Sequence, residues 1–154
     1  MPTFDLKKLD DVKGKQLFYQ LTENDVPDLT GLEKAKDKDA EINERKWGVM
    51  DEFEKGLETK YTKDKDRIHA LMNQVANNQL LPKTKFRPLE GREKGDDIKD
   101  YEFKSGDLRY YCIGIPSGKL VCLGGYKNEQ EIDIARLRKM KKEVYAEIIK
   151  KLPK

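Results

Sequence analysis

The sequence predicts an α+β fold, in which a small antiparallel sheet of about four strands is packed by an N-terminal helical hairpin and a C-terminal helix. Two observations lead to this prediction. Residues 101–126 alternate apolar and polar side chains and contain two Ser-Gly pairs, which is typical of strands joined by tight turns. Apolar residues recur near helical spacing on either side of this run, over 42–79 and over 134–152.

The length and composition suit one domain with an extension. The chain has 154 residues, which we divide into an N-terminal extension, 1–40, and a domain, 41–154. It is 36% hydrophobic and 40% charged, so its apolar residues suffice for one modest core. The sequence shows no apolar run of about 18 residues and no secretory signal pattern. Two cysteines and no signal pattern favour a reducing compartment, so we expect a cytoplasmic protein that does not enter a membrane.

The N-terminal half is predicted to be mostly helical. Residues 16–21 form one short strand, and residues 22–31 form a loop. From Asp37 the charges alternate in sign and apolar residues recur near helical spacing as far as Leu57. A second helix, with Thr62 or Asp64 as its N-cap, carries one apolar stripe: Ile68, Leu71, Met72, Val75, Ala76 and Gln79. These two helices are expected to form an antiparallel hairpin.

The pattern changes after Pro82. A short extended piece and a polar loop precede three strands, which are predicted over 101–104, 107–115 and 119–127. The chain ends in a predicted helix, Glu129 to Leu152, whose polar surface is rich in lysine. Its buried stripe is predicted to contain Ile134, Leu137, Val144, Tyr145, Ile148 and Leu152.

The turns predict a register for the three strands. With Ser105-Gly106 as a two-residue turn, Glu102 faces Arg109. With a three-residue loop over 116–118, Arg109 faces Gly125 and Cys112 faces Cys122. The cysteines should then be reduced thiols with β-carbons about 4.5–5.5 Å apart. One face carries Glu102, Arg109, Tyr111, Ile113, Val121, Leu123, Gly125 and Lys127; the other carries Tyr101, Phe103, Leu108, Tyr110, Cys112 and Cys122. Both faces are largely apolar, so we expect helices on both.

Several kinds of chemistry have no basis in the sequence. The one histidine, His69, lies inside a predicted helix and is interpreted as a helix-surface residue. The sequence contains no Cys-x-x-Cys motif, no phosphate-binding loop and no dinucleotide fingerprint. We therefore predict neither a metal site nor a cofactor.

Charge is distributed unevenly along the chain. Residues 1–82 carry 14 Lys/Arg and 17 Asp/Glu, whereas residues 83–154 carry 18 and 12. The second part therefore has a net charge of +6, which favours a polyanion such as nucleic acid as a partner. A lysine-rich solvated helix explains the same charge equally well.

Arg109 interrupts the most strand-like run of the chain. One interpretation is a cross-strand ion pair with Glu102, worth under about 1 kcal/mol if exposed. The other is an anion site, because a guanidinium binds phosphate through two hydrogen bonds. In that case Glu102 orients Arg109, Lys127 adds charge, and Gly124-Gly125 leave a hollow beside the arginine.

Residues from about 45 to 150 resemble the RelE/ParE superfamily of bacterial toxins, especially its HigB-like, phage-derived members. The resemblance is carried by the segments "KFRPLEG", "YEFKSGDLRYYC" and "KLVCLGGYKNEQEIDIARLRK", in this order and spacing. It covers about two-thirds of the chain and excludes the first 40 or so residues. The resemblance implies a toxin of a type II toxin–antitoxin system, for many members a ribosome-dependent endoribonuclease that cuts mRNA and is neutralised by an antitoxin.

The resemblance also implies roles for individual residues. Arg109 would bind the scissile phosphate, Lys127 would be the basic residue at the strand end, and Glu102 would serve as a base or hold Arg109. Basic residues assigned to the RNA path are Lys85, Arg87, Arg92, Lys94 and Lys104. The expected partners are a cognate antitoxin, the ribosome and mRNA.

A different class of function stays open at this point. Known nucleases of the superfamily place basic residues on the strand that here carries Asp100 and Glu102. The chain is therefore either a metal-independent nuclease or a protein of the same fold that acts by binding, as a topoisomerase poison or an antitoxin-binding module.

Overall fold

A mixed sheet of six strands, with helices on both faces, is the framework of this computed structural model, which describes residues 4–23 and 48–151. The strands are β1 (Phe4–Lys8), β2 (Leu17–Glu23), β3 (Phe86–Pro88), β4 (Asp100–Ser105), β5 (Leu108–Ile115) and β6 (Gly118–Tyr126). The helices are α1 (Val49–Lys55), α2 (Thr62–Ala76) and α3 (Gln130–Lys151), with 3₁₀ turns at Thr59–Tyr61 and Lys127–Glu129. The strand order is β1-β2-β6-β5-β4-β3, and β2 and β6 run parallel.

The predicted fold class was wrong in two respects. The sheet has six strands of mixed direction instead of about four antiparallel ones, and the described N-terminal residues are mostly strand. The short β1 alternates only over Phe4, Asp5 and Leu6, which is too little pattern to predict a strand. The β2–β6 pairing joins segments about 100 residues apart, and local alternation carries no information about such a pairing. The predicted boundary at residue 40 and the part of the first predicted helix over 37–47 lie outside the described residues, and the rest of that helix is α1.

The helices cover both faces of the sheet. The first face packs Ile68, Met72 and Val75 of α2 and Met50 of α1 against strand residues that include Phe103. The second face packs Leu137 and Ile148 of α3 against residues that include Tyr111, Ile113 and Leu123. Within the described residues, α1 packs on β2 and β6 while α2 packs on β4 and β5, so each helix is supported mainly by the sheet.

α1 begins at the point where β2 and β6 separate. These strands pair only over Leu17–Gln20 and Gly118–Val121 within the described residues. Beyond that point Gln20, which is 1% exposed, accepts hydrogen bonds from the backbone N–H groups of Met50 (2.9 Å) and Asp51 (3.1 Å). The side chain of β2 thus caps the first turn of α1, whose N–H groups have no partner within the helix.

The pairing of β4 with β5 is shifted by two residues from the predicted register. Gly106 and Asp107 are the central pair, with Gly106 at φ +55°, and Ser105 pairs with Leu108. Ser105 is buried and its Oγ donates to Oδ1 of Asp64 at 2.7 Å, which keeps this residue in the strand. Arg109 therefore faces Lys104 instead of Glu102, and Glu102 faces Tyr111. A shift of two residues leaves every side chain on its predicted face, because the strand period is two.

A β-bulge separates the two cysteines. The β5–β6 register shifts between Tyr111 and Cys112, so that Cys112 faces Val121 and the prediction that it faces Cys122 was wrong. Val121 and Cys122 consequently exchange faces: Cys112 packs among the residues under α2, and Cys122 among those under α3. Both are free thiols, and burial raises the pKa of Cys112 to about 12. The bulge also restores the predicted pairing of Arg109 with Gly125.

Over residues 4–23 and 48–151, none of the helices combines the length and the apolar character that crossing a bilayer requires.

Candidate nucleic-acid interface

Polar side chains gather at one end of the sheet face that α3 covers. Arg87 of β3 pairs with Glu102 of β4, and Lys104 of β4 pairs with Arg109 of β5, so all four side chains share this face. α3 begins above them, because Gln130 at its first position is hydrogen-bonded to Glu102. The antiparallel register of three strands and the start of α3 therefore bring together residues that lie up to 43 positions apart in the sequence.

Glu102 is the centre of this group. Its side chain is fully buried, and its two oxygens have three donors. Oε1 lies 2.5 Å from Nε of Arg87 and 3.4 Å from Nζ of Lys104, and Oε2 lies 2.5 Å from Nε2 of Gln130. A buried carboxylate needs such partners, since an unpaired buried charge costs several kcal/mol. Because these donors satisfy it, the predicted Glu102–Arg109 pair does not form.

Arg109 is buried, with 6% of its surface exposed, whereas the predicted anion site needs a guanidinium that a phosphate can reach. Its Nη1 donates to the backbone carbonyls of Gly106 (2.7 Å) and Leu108 (3.0 Å), which ties it to the β4–β5 turn. The predicted hollow over Gly125 is filled: a β-carbon at Gly125 would lie 2.0 Å from Oδ2 of Asp133 on α3. The first turn of α3 thus covers Arg109, the residue predicted to bind phosphate.

Three atoms around Arg109 have no hydrogen-bond partner within the described part of the chain. They are Nε of Arg109, the hydroxyl of Tyr111 and Oδ2 of Asp133. The pKa of Tyr111 is raised, mainly because the hydroxyl is buried and also because the carboxylates of Glu102 and Asp133 lie nearby. Burial likewise raises the pKa of Asp133, against the opposing charge of Arg136. Such unpaired buried groups are rare in proteins, which makes this region a candidate site.

An open cleft of about 360 Å³ lies next to Glu102, along the edge strand β3. Three cations line it, Lys83, Arg87 and Lys104, together with the exposed carboxylate of Glu90. The remaining lining residues are Thr84, Pro88 and Leu89. We call this site the basic cleft. Because Glu102 fixes Arg87 and Lys104 from beneath, two of its cations are held in place by a buried anchor.

The other predicted site residues do not line the basic cleft. Lys85 is exposed next to β3, and its N–H donates to the carbonyl of Pro82 at 2.9 Å. Arg92 donates through Nη1 to the carbonyl of Asp96 at 2.9 Å, and Lys94 lines a separate cleft beside α3. Lys127 is exposed at the end of β6, where its N–H donates to the carbonyl of Asp107 at 2.8 Å.

Sequence reasoning missed several residues of this site. Lys83, Thr84 and Glu90 lie within or beside the segment "KFRPLEG", so their nearness in the sequence to Arg87 was an available signal. Gln130 and Asp133 carried no such signal, because their contacts depend on where α3 crosses the sheet.

α3 is fixed in this position by a buried ionic network. Lys141, whose side chain is 2% exposed, lies 3.0 Å from Oδ2 of Asp100 and 2.6 Å from Oδ2 of Asp96. Arg138 donates to Asp100 at 3.1 Å and to the carbonyl of Glu90 at 2.7 Å. The same helix therefore holds the backbone of Glu90, a residue that lines the basic cleft.

His69 lies on the opposite face of the sheet, and its interpretation as a helix-surface residue was wrong. Its Nδ1 is hydrogen-bonded to Asp11 and its Nε2 lies 2.6 Å from Oε2 of Glu54, which also accepts a hydrogen bond from the Tyr110 hydroxyl. Burial opposes protonation of the ring, but the two carboxylates outweigh burial and raise the pKa of His69 to about 9. Held as a cation between two acids, the ring links the chain before β2 to α1 and α2.

Among residues 4–23 and 48–151, no three His, Cys, Asp or Glu side chains are placed to hold a metal ion.

Comparisons with known proteins give no further assignment. No family model, no curated protein and no solved structure matches this chain. The resemblance to the RelE/ParE superfamily accordingly stays a prediction from the sequence.

Proposed function

We propose that this chain is the toxin of a type II toxin–antitoxin pair and acts in the cytoplasm as a ribosome-associated endoribonuclease, with the basic cleft as its mRNA site. The observation that carries the proposal is the cleft itself, which is lined by three cations, Lys83, Arg87 and Lys104, and by the exposed carboxylate of Glu90. Concave sites lined by cations attract the RNA backbone. The resemblance of the segments around Arg87 and Arg109 to RelE/ParE toxins supports the same function, and a cognate antitoxin is then the expected partner.

The cleft contains the groups that this reaction needs. The 2′-hydroxyl of the RNA attacks the adjacent phosphorus, the bond to the 5′-oxygen breaks, and a 2′,3′-cyclic phosphate and a 5′-hydroxyl result. Glu90 accepts the proton of the 2′-hydroxyl, a contribution of about 100- to 10,000-fold in rate, and solvent water gives the departing 5′-oxygen the proton that makes it a hydroxyl. Arg87 and Lys104 stabilise the charge that develops on the phosphorane oxygens. Because the nucleophile belongs to the substrate, these residues provide alignment and charge without a metal.

In this proposal the roles differ from those that the resemblance implies. Glu102 is buried with three donors, so it serves as the anchor of Arg87 and Lys104. Arg109 acts as a positioning residue, since its guanidinium holds the turn that joins β4 to β5.

The burial of Arg109 also favours a second candidate. The residue that the resemblance assigns to the phosphate has 6% of its surface exposed and donates to backbone carbonyls. A protein of this fold that acts by binding, as a topoisomerase poison or an antitoxin-binding module, needs no exposed arginine at this position.

Inducible expression with mapping of mRNA 5′ ends tests the proposal and separates the two candidates. Wild-type protein should arrest growth and generate new 5′ ends, and Arg87→Ala and Glu90→Gln should each reduce their yield by about 100-fold or more. Lys139→Ala is the matched control, because Lys139 is an exposed lysine on α3 away from the cleft. Growth arrest without new 5′ ends would establish the binding candidate, and normal growth would exclude a toxin.

A further inference from the structure

Gln130 connects α3 to the buried anchor of the basic cleft. Its Nε2 donates to Oε2 of Glu102 at 2.5 Å, while Oε1 of the same carboxylate faces Arg87 and Lys104. A carboxylate only accepts hydrogen bonds, so the amide nitrogen of Gln130 must be the end that faces it. The two oxygens of Glu102 therefore have separate partners, because one faces the cations of the cleft and the other faces α3.

This division of partners depends on Gln130. Over residues 4–23 and 48–151, no second donor faces Oε2 of Glu102, and the side chain is fully buried. Without Gln130 a buried acceptor would lack a donor, which is unfavourable. Since the terminal torsion of a glutamate side chain is soft, the carboxylate would turn and share Arg87 and Lys104 between both of its oxygens. Both cations would then move within the cleft that they line.

The backbone holds Gln130 in place over the sheet. β6 ends at Tyr126, the 3₁₀ turn Lys127–Glu129 follows at once, and α3 begins at Gln130. The N–H of Lys127 donates to the carbonyl of Asp107 in the β4–β5 turn at 2.8 Å. Because β4, β5 and β6 are paired neighbours, backbone hydrogen bonds fix the distance between the strand that carries Glu102 and the start of α3.

We propose that Gln130 is a positioning residue for RNA cleavage, which occupies Oε2 of Glu102 and so keeps Oε1 turned to Arg87 and Lys104. The inference rests on the proposed function, in which these two cations stabilise the charge on the phosphorane. A displacement of about 1 Å in such a group costs on the order of 100-fold in rate. Gln130 does not line the basic cleft, so its loss should lower the rate of cleavage and leave RNA affinity unchanged.

Cleavage of a short labelled mRNA on ribosomes by the purified protein tests this role. Gln130→Leu keeps a side chain of similar size but has no donor, so the maximal rate should fall about tenfold or more. The protein concentration that gives half of this rate should change by less than about twofold. Glu131→Gln is the control, because Glu131 is an exposed acid in the same first turn of α3 and its variant should cleave at the wild-type rate. Urea unfolding verifies that each variant is folded.

The pH dependence of a second variant, Gln130→Glu, separates positioning from a loss of packing. This variant keeps the shape of the side chain, but its carboxyl group can donate to Glu102 only when protonated. Two carboxyl groups at this distance share one proton, so the donor returns as the pH falls. From about pH 8 to about pH 5.5 the rate of Gln130→Glu relative to wild type should rise about fivefold or more, whereas the relative rate of Gln130→Leu should stay constant. Arg87, Lys104 and Tyr111 also face Glu102 and do not titrate in this range, and groups common to both proteins cancel in the ratio.

The outcomes distinguish this inference from the function on which it rests. If wild-type protein cleaves and Gln130→Leu cleaves equally fast, the positioning role is refuted and the proposed function stands. A relative rate of Gln130→Glu that does not change with pH, or a loss of affinity as large as the loss of rate, would likewise refute it. Absence of cleavage by wild-type protein would refute both proposals.

Discussion

At the scale of single residues, the buried carboxylate of Glu102 determines where Arg87 and Lys104 point. Glu102→Gln keeps the shape of the side chain but places an amide where Arg87, Lys104 and Gln130 now donate. We expect the free energy of unfolding to fall by about 1–3 kcal/mol, because Arg87 and Lys104 are partly exposed and can turn to solvent. Urea unfolding measures this loss. Glu93→Gln removes the same charge from an exposed pair and should change stability by less than about 0.5 kcal/mol.

The Glu102→Gln variant also tests whether Glu102 only holds Arg87 and Lys104 in place or contacts the RNA itself. Glu102→Gln adds one positive charge beside the basic cleft, so RNA affinity should stay the same or increase at low salt. Cleavage should nevertheless fall, because Arg87 and Lys104 lose the contact that aligns them. Equal losses of affinity and cleavage would show that Glu102 itself touches the RNA.

At the scale of elements, α3 depends on Lys141 for its position over the sheet. Lys141→Met keeps most of the aliphatic stem but leaves Asp100, which is fully buried, with Arg138 as its remaining ionic partner among the described residues. We expect a loss of about 3 kcal/mol, typical of breaking a buried pair from one side. Lys142→Met is the matched control, since that exposed lysine should contribute less than about 1 kcal/mol. Replacing Asp100 as well should recover part of the loss in a double-mutant cycle, and full additivity would contradict the pairing.

Local sequence patterns predict some elements of this fold and not others. The strands around Arg109 were predictable, because alternation and turn residues are local signals, and the helix stripe over Ile68, Met72 and Val75 was predicted and is buried. The bulge at Cys122 and the parallel β2–β6 pair were not, since they depend on contacts between distant segments. The candidate site divides in the same way. The resemblance to RelE/ParE toxins had implied Arg87 and Lys104 as RNA-path residues, and both line the basic cleft, whereas the burial of Arg109 follows from where the first turn of α3 crosses the sheet.

At the scale of the whole molecule, the ionic contacts of His69 join the chain before β2 to both helices on the first face. The pKa of His69 is about 9 in the folded protein, against an ordinary value of 6.5. Because this pKa is raised, the protonated His69 ring stabilises the folded protein fully below about pH 6.5, and this stabilisation is lost as the pH rises through 9. The hydrogen bond from His69 lowers the pKa of Asp11, so the stabilisation by that carboxylate is present above 3.8 and is lost only at more acid pH.

Wild-type protein and His69→Gln should therefore differ more in stability at pH 6 than at any more alkaline pH. A shift of about 2.5 pH units corresponds to on the order of 3 kcal/mol. We expect a difference of that order at pH 6 that shrinks toward zero above pH 10, measured by urea unfolding of both proteins across this range. Comparing the two proteins removes the contribution of every group whose surroundings the variant leaves unchanged. Because the sequence contains one histidine, its imidazole signal in NMR reports the pKa directly. A midpoint near 6.5, or a stability difference that does not change between pH 6 and 10, would show that Asp11 and Glu54 do not hold the ring as a cation.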